Sequence, residues 1–249
     1  MVINGDCLQE LIKIESNSID LILTDPPYLI SRNSGFKRSS ENTNDLLKLK
    51  YGKISIDFGD WDKVEIDWNL LFQEYYRILK KGGTVIFFFD IWKSNLIKQV
   101  AELNKFKQPR IGQWLKTNPV PINSKNNYLS NSGEYFFSFV KGGKPKFNSI
   151  YDNGIYKYPL CHGKQRLEHP TQKPLDLIKD LVKKHSNEGD LVLDTFAGTF
   201  TVHNACDDLG RECISIEKDK VYFNIGKNRI NNNRIKLNEN RQIPFLIYT

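Results

Sequence analysis

The chain has 249 residues, 39% of them apolar and 12% aromatic, with a formal net charge of +7. This length fits one large α/β domain, or one domain carrying an inserted lobe, and the apolar content supports a substantial core. The basic excess suits a polyanionic partner without proving one, and the four cysteines (Cys7, Cys161, Cys206 and Cys213) have neither zinc-site spacing nor a disulfide framework. No apolar run approaches the ~20 residues of a membrane span, and no secretory signal precedes Val2, so the expected place is a reducing cytoplasm.

In chain order, residues 1–11 read as a short strand, a turn at Asn4-Gly5 and a helix capped by Asp6. Ile19–Thr24 is an apolar run of strand length. Asp25-Pro26-Pro27-Tyr28 stops it, because two prolines cannot donate to a ladder. The result is a rigid corner with a carboxylate, carbonyl acceptors and an aromatic face. Such a corner can grip a flat heterocycle that bears an exocyclic amine. Asp25 and the Pro26 carbonyl would accept the two amine hydrogens, and Tyr28 would stack on the ring. In isolation the tetrapeptide reads equally well as an ordinary strand-to-loop turn. Residues 31–57 are polar and read as a flexible loop, placed where a lid or a nucleic-acid clamp would be useful.

Apolar residues at helical period, Trp68 to Leu79, predict a helix over 67–80, with Lys80-Lys81-Gly82-Gly83 as its stop signal. Thr84–Phe89 reads as a buried strand, 91–103 as a helix and 111–115 as a strand. This β-α-β-α-β order predicts a largely parallel, three-layer α/β fold. Lys116–Pro121 is a rigid loop, Glu134–Val140 a strand and Lys141–Lys146 a turn. Residues 147–168 have no clear period, but Tyr151, Tyr156 and Tyr158 interleave with Lys157, Lys164 and Arg166. That pattern reads equally as stacking on nucleic acid and as tyrosines packed within an irregular lobe. A helix over 175–184, a strand ending at Asp194, a turn through Thr201, a helix ended by Gly210, a strand ending at Glu217 and a helix over 220–231 complete the order.

A strand ending in an acid, a glycine-containing turn, a helix and a second acid-ended strand make a βαβ nucleoside-binding unit. Asp194 and Glu217 lie 217 − 194 = 23 residues apart, as the ribose-binding role of Glu217 requires. The turn retains one glycine, Gly198, so a pyrophosphate is poorly supported. A nucleoside with a zwitterionic end, such as S-adenosylmethionine (SAM), fits better.

Asp25-Pro26-Pro27-Tyr28, the Phe196-Ala197-Gly198 turn and His169-Pro170-Thr171-Gln172-Lys173-Pro174 together resemble the DNA amino-methyltransferases of restriction–modification systems. The order, catalytic corner first and cofactor turn last, resembles their β class. The similarity runs over roughly residues 2–230 and takes in Phe58-Gly59-Asp60-Trp61-Asp62-Lys63 and Lys116-Thr117-Asn118-Pro119. It implies a three-layer, Rossmann-like SAM-dependent methyltransferase fold with a mostly parallel sheet, a β-hairpin edge, circularly permuted motif order and a small irregular target-recognition lobe. Residues 1–115 and 169–235 would be the catalytic domain, 116–168 the target-recognition region and 236–249 a tail.

The resemblance assigns the catalytic corner to Asp25, Pro26, Pro27 and Tyr28. It assigns the cofactor site to Asp6, Cys7, Asp25, Lys173, Asp194, Phe196, Ala197, Gly198 and Glu217. Asp6 would meet the adenine amine, Cys7 the ring through its backbone, Glu217 the ribose and Lys173 the methionine carboxylate. Lys173 reads alternatively as a solvated lysine at a helix start. Arg32, Lys116, Asn118, Tyr156 and Lys164 are the expected DNA contacts. SAM is implied as methyl donor, with no metal, and DNA as substrate, its target base flipped from the duplex. A homodimer, pairing with a restriction endonuclease, no membrane, and a bacterial or phage origin complete the expectations.

One departure stands out. The family turn is Asp-Pro-Phe-x-Gly-Ser-Gly-Thr, and here Phe200 replaces its second glycine, so its ring either narrows the cofactor pocket or turns away and packs. The implied reaction is methylation of adenine N6, since the family's cytosine members more often carry Ser at position 25. The alternatives are a cytosine-N4 enzyme and a weakly active or inactive SAM- and DNA-binding relative. A nicotinamide-dependent oxidoreductase is disfavoured by the missing glycines.

Overall fold

The computed structural model describes residues 1–27, 66–119, 132–161 and 171–242, with side chains as far as 235. Tyr28, Arg32, Lys164 and the expected 31–57 loop lie outside the described residues. The chain divides into two compact units, residues 1–26 with 67–249, and residues 27–66. Of the second unit only Pro27 and Ile66 are described.

The first unit is built on an eight-stranded sheet in the order β1-β8-β7-β2-β3-β5-β4-β6. The strands are β1 (Val2–Asn4), β2 (Ile19–Thr24), β3 (Leu79–Phe89), β4 (Lys107–Lys116), β5 (Gly133–Val140), β6 (Ile155–Tyr158), β7 (Leu191–Asp194) and β8 (Glu212–Glu217). Every ladder is parallel except the two that β5 makes with β3 and β4. Every residue of β2 is buried, which explains why apolar residues follow one another over Leu21–Leu23 instead of alternating. Helices α1 (Cys7–Leu11), α2 (Trp68–Ile78) and α3 (Ser94–Leu103) form one packed group, and α4 (Leu175–His185), α5 (Thr201–Leu209) and α6 (Lys220–Gln242) another. None of the described helices is long and apolar enough to cross a membrane.

Two features depart from the sequence reading. The expected glycine stop of α2 lies inside β3 instead. Leu79 is already extended (φ −70°, ψ 138°), and β2 pairs Ile19 with Leu79 but Leu21 with Thr84, so Lys80–Gly83 bulge out of the ladder. Gly82, at φ +81°, turns the bulge, and a Cβ there would meet the Lys144 carbonyl at 2.7 Å. The second departure is β6, which lies outside the β4–β5 antiparallel pair and is joined in parallel to β4. It falls within 116–168, as does β5, so part of the expected recognition region completes the central sheet.

At the amino ends of the strands, Asp20 is 5% exposed and accepts from Lys80 (2.7 Å), Lys146 (2.9 Å) and the Leu191 amide (3.1 Å). Lys146 also reaches Asp190 at 2.6 Å. This network ties β2, the β3 bulge and β7 together at the end of the sheet opposite Asp25.

Candidate active site and cofactor site

The strand order sets the location. From β7 the chain crosses outward to β8, and from β2 it crosses in the other direction to β3, while β7 and β2 pair directly. The sheet therefore reverses winding between them, and the crevice beyond their carboxyl ends is where open α/β sheets bind ligands. Asp194 ends β7 and Asp25 follows the last residue of β2, so both flank that switch point. Thr24 Oγ1 donates to Asp194 Oδ1 at 2.9 Å and bridges the two strand ends.

The Asp194–Thr201 turn is held from both sides. Phe196 N donates to Asp194 Oδ1 (3.2 Å), Ala197 N to the Ile216 carbonyl (3.0 Å) and Gly198 N to Glu217 Oε2 (2.7 Å). Asp194 is fully enclosed, and burial holds its carboxyl well above the usual range. Burial likewise pushes Glu217 up to about 7, against the backbone amides of Asp219 and Gly198 that favour its charge. The β1–β8 ladder brings the N-terminal segment alongside. Gly5 N donates to the Glu217 carbonyl at 3.0 Å, Asn4 Nδ2 donates to the same oxygen at 2.9 Å, and Lys218 pairs with Asp6 at 3.0 Å. Asp6 Oδ1 caps α1 at Leu8 N, 3.1 Å away. Cys7 is buried beneath it, its thiol raised to about 12 by burial and then by Asp6.

Phe200 resolves the choice left by the sequence. Its backbone stays left-handed (φ 62°, ψ 42°), as the glycine it replaces would allow, and its ring is 0% exposed. The ring turns away into a cluster with Ala197 and Ile230, edge-on to Phe223 at 5.7 Å. The space comes from Gly226 on α6, where a Cβ would lie 2.7 Å from the ring.

Lys173 is not a solvated lysine. It is 7% exposed, its Nζ lies 5.0 Å over the Phe88 ring, and it pairs with both Asp25 and Glu134, the latter at 3.0 Å. Burial alone would lower its pKa, but the two carboxylates outweigh burial and hold it above the ordinary value. Glu134 is the second residue of β5 and also pairs with Lys116 at 2.8 Å, so Asp25, Lys173, Glu134 and Lys116 form a row of alternating charge. Sequence reading missed Glu134. The available signal was a lone carboxylate heading the apolar run Tyr135–Val140, a position that demands a cationic partner.

The expected DNA contacts fare differently. Lys116 is held by Glu134, with its Nζ 5.4 Å from the Trp114 ring, and Asn118 Oδ1 accepts from Leu160 N at 2.7 Å. Tyr156 corrects an expectation. It is 4% exposed, packs on Phe136 at 5.6 Å and carries Lys184 Nζ 4.3 Å over its ring, so it has no face to offer a base. The interleaving of tyrosine and lysine over 155–158 is the inward–outward alternation of a strand.

Residues 19–228 match the family model described as DNA methylase. The chain is 30% identical to the type II methyltransferase M.HinfI of Haemophilus influenzae over 96% of its own length and 70% of the relative's. It is 29% identical to the type II methyltransferase M2.DpnII of Streptococcus pneumoniae, over 92% and 89% of the two chains. The crystal structure of the M1.HpyAVI–SAM complex superposes with a TM-score of 0.69 at 25% identity, covering 93% of this chain and 98% of that one. With the switch-point carboxylates and the acid-ended βαβ unit in place, these matches lead to one conclusion: this chain belongs to the DNA methylase family of N6- and N4-directed, SAM-dependent methyltransferases.

Proposed function

We propose that the chain methylates adenine N6 at specific sites in DNA, with SAM as donor, in a type II restriction–modification system. The observation that carries this reading is Asp25, a carboxylate at the β2 end of the switch point, followed by Pro26, which has a carbonyl to offer and no N–H. An exocyclic amine is a poor nucleophile because its lone pair is delocalised into the ring. Asp25 and the Pro26 carbonyl would each take one of its hydrogens, favouring a tetrahedral nitrogen and stabilising its developing positive charge. Positioning supplies much of the remaining acceleration.

The residues on the other side of the crevice suit SAM. Each Glu217 oxygen already accepts one backbone amide, from Gly198 or Asp219 at 2.7 Å, and keeps a lone pair for a ribose hydroxyl. Asp6 stands beside Glu217 for the adenine amine. Bound there, SAM supplies a methyl group on a sulfonium that needs no further activation. In the overall transfer an N–C bond forms, an S–C bond breaks, and the nitrogen releases one proton. The type II designation of M.HinfI and M2.DpnII supports the restriction–modification setting. A partner endonuclease, a homodimer and a cytoplasmic place in a bacterium are part of this proposal.

The test is tritiated methyl transfer to mixed-sequence DNA by wild type and Asp25→Ala, followed by nucleoside analysis. Label in N6-methyladenine, reduced at least ~100-fold in the variant, is the expected outcome. Label in N4-methylcytosine would make the chain a cytosine-N4 enzyme, and SAM binding without transfer to any DNA would make it a non-catalytic relative.

A further inference from the structure

Lys173 presents a conflict. Its ammonium pairs with Asp25, the carboxylate that the proposed reaction needs for the target amine. A positive charge held against Asp25 opposes the positive charge that develops on that amine during transfer. Lys173 cannot simply leave, because an ammonium this enclosed needs a counter-charge within reach.

Glu134 is built to supply it. Its Oε2 is sealed from solvent and already lies 3.0 Å from the Lys173 ammonium, so the second carboxylate is in place before Asp25 is called away. The ammonium therefore stands between two carboxylates and can shift its weight from one to the other without leaving its enclosure. Its other oxygen is fixed by Lys116 at 2.8 Å, so the carboxylate stays where it is. Lys116 also closes the row with a second cation, so the four groups carry no net charge wherever the Lys173 proton points.

We propose that Glu134 is a positioning residue that takes over the Lys173 ammonium when Asp25 engages the target amine. The hand-over leaves Asp25 with its full charge for the amine and keeps Lys173 paired throughout. This inference rests on the reading of Asp25 as the amine-binding group.

The test is a double-mutant cycle on the full chain, read by single-turnover methyl transfer at saturating SAM and DNA. Glu134→Gln keeps the shape and removes the charge. It is expected to slow the saturated rate at least tenfold while changing the KM for DNA less than threefold, and Glu134→Asp is expected to recover most of the rate. In a Lys173→Met background, the same Glu134→Gln change is expected to cost less than twofold, since there is no ammonium left to receive. Losses that multiply, or a loss confined to KM, would overturn the proposal. If circular dichroism shows the Gln variant unfolded, Glu134→Met, which also removes the charge at similar volume, carries the same cycle. Full transfer by Asp25→Ala would bring down the reading of the catalytic corner. An inactive Asp25→Ala alongside a wild-type rate for Glu134→Gln would bring down the hand-over alone.

Discussion

Glu217 ties the protonation of one side chain to the stability of the fold. Its carboxyl titrates at about 7 in the folded chain against an ordinary 4.5, so the folded state holds a proton that the unfolded state has released. Stability attributable to this group is therefore present below pH ~4.5 and is lost as the pH rises through ~7. Glu217→Gln removes the titration at a roughly pH-independent cost in lost acceptors. The difference in melting temperature between variant and wild type is expected to shift in the variant's favour from pH 5 to pH 8, measured without SAM. A flat difference would mean that Glu217 is not raised. Asp25, Asp194 and Glu217 were all legible in the sequence, because each ends an apolar run and the strand rule places such residues on one rim. Lys173 was only half legible, since nothing local says whether a lysine before a proline is enclosed. Glu134 was legible only as a carboxylate in need of a cation, because its partners Lys116 and Lys173 lie on distant segments and meet it only once the sheet has formed.

Phe200 and Gly226 couple two helices. In most helices an interior Gly→Ala change stabilises by about 0.5–1 kcal/mol. In α6 the added methyl would lie 2.7 Å from the Phe200 ring, so Gly226→Ala is expected to destabilise by about 1–3 kcal/mol in chemical denaturation. Phe200→Gly relieves the left-handed backbone but empties a site with no solvent exposure, at a net cost of about 2–4 kcal/mol. The double variant should recover part of both losses, and strict additivity would refute the coupling. The elements themselves were mostly visible from periodicity. The exceptions have identifiable causes. Gly82 looks like part of a helix stop because a bulge and a helix end ask for the same left-handed backbone. β6 escaped because four residues are too few to establish a period against an irregular background.

For the whole molecule, the sequence announced a parallel α/β sheet but not the strand order, which follows from non-local pairing. That order separates the sheet into a chemical rim and a structural floor. The floor is centred on Asp20, whose pairing with Lys146 and Lys80 outweighs burial and holds its carboxyl below the ordinary value. Asp20→Asn is expected to cost about 2 kcal/mol at neutral pH. The cost should shrink as the pH falls through the folded-state titration of Asp20, where the wild type loses the same pairing. The KM values for SAM and DNA are expected to stay within twofold of wild type, because the network lies at the opposite end of the strands from Asp25. A selective loss of SAM affinity would show that floor and rim are not independent.

The β1–β8 ladder joins the opening residues of the chain to a strand more than 200 positions later, with Asn4 and Glu217 side by side. A ribosome makes Asp25 long before Glu217. During synthesis β1 lacks the strand it pairs with until β8 has emerged. On the proposed reading of Glu217, a chain cut before β8 would carry Asp25 without the acid that holds the donor's ribose, and binding of the donor could stabilise only chains that include both.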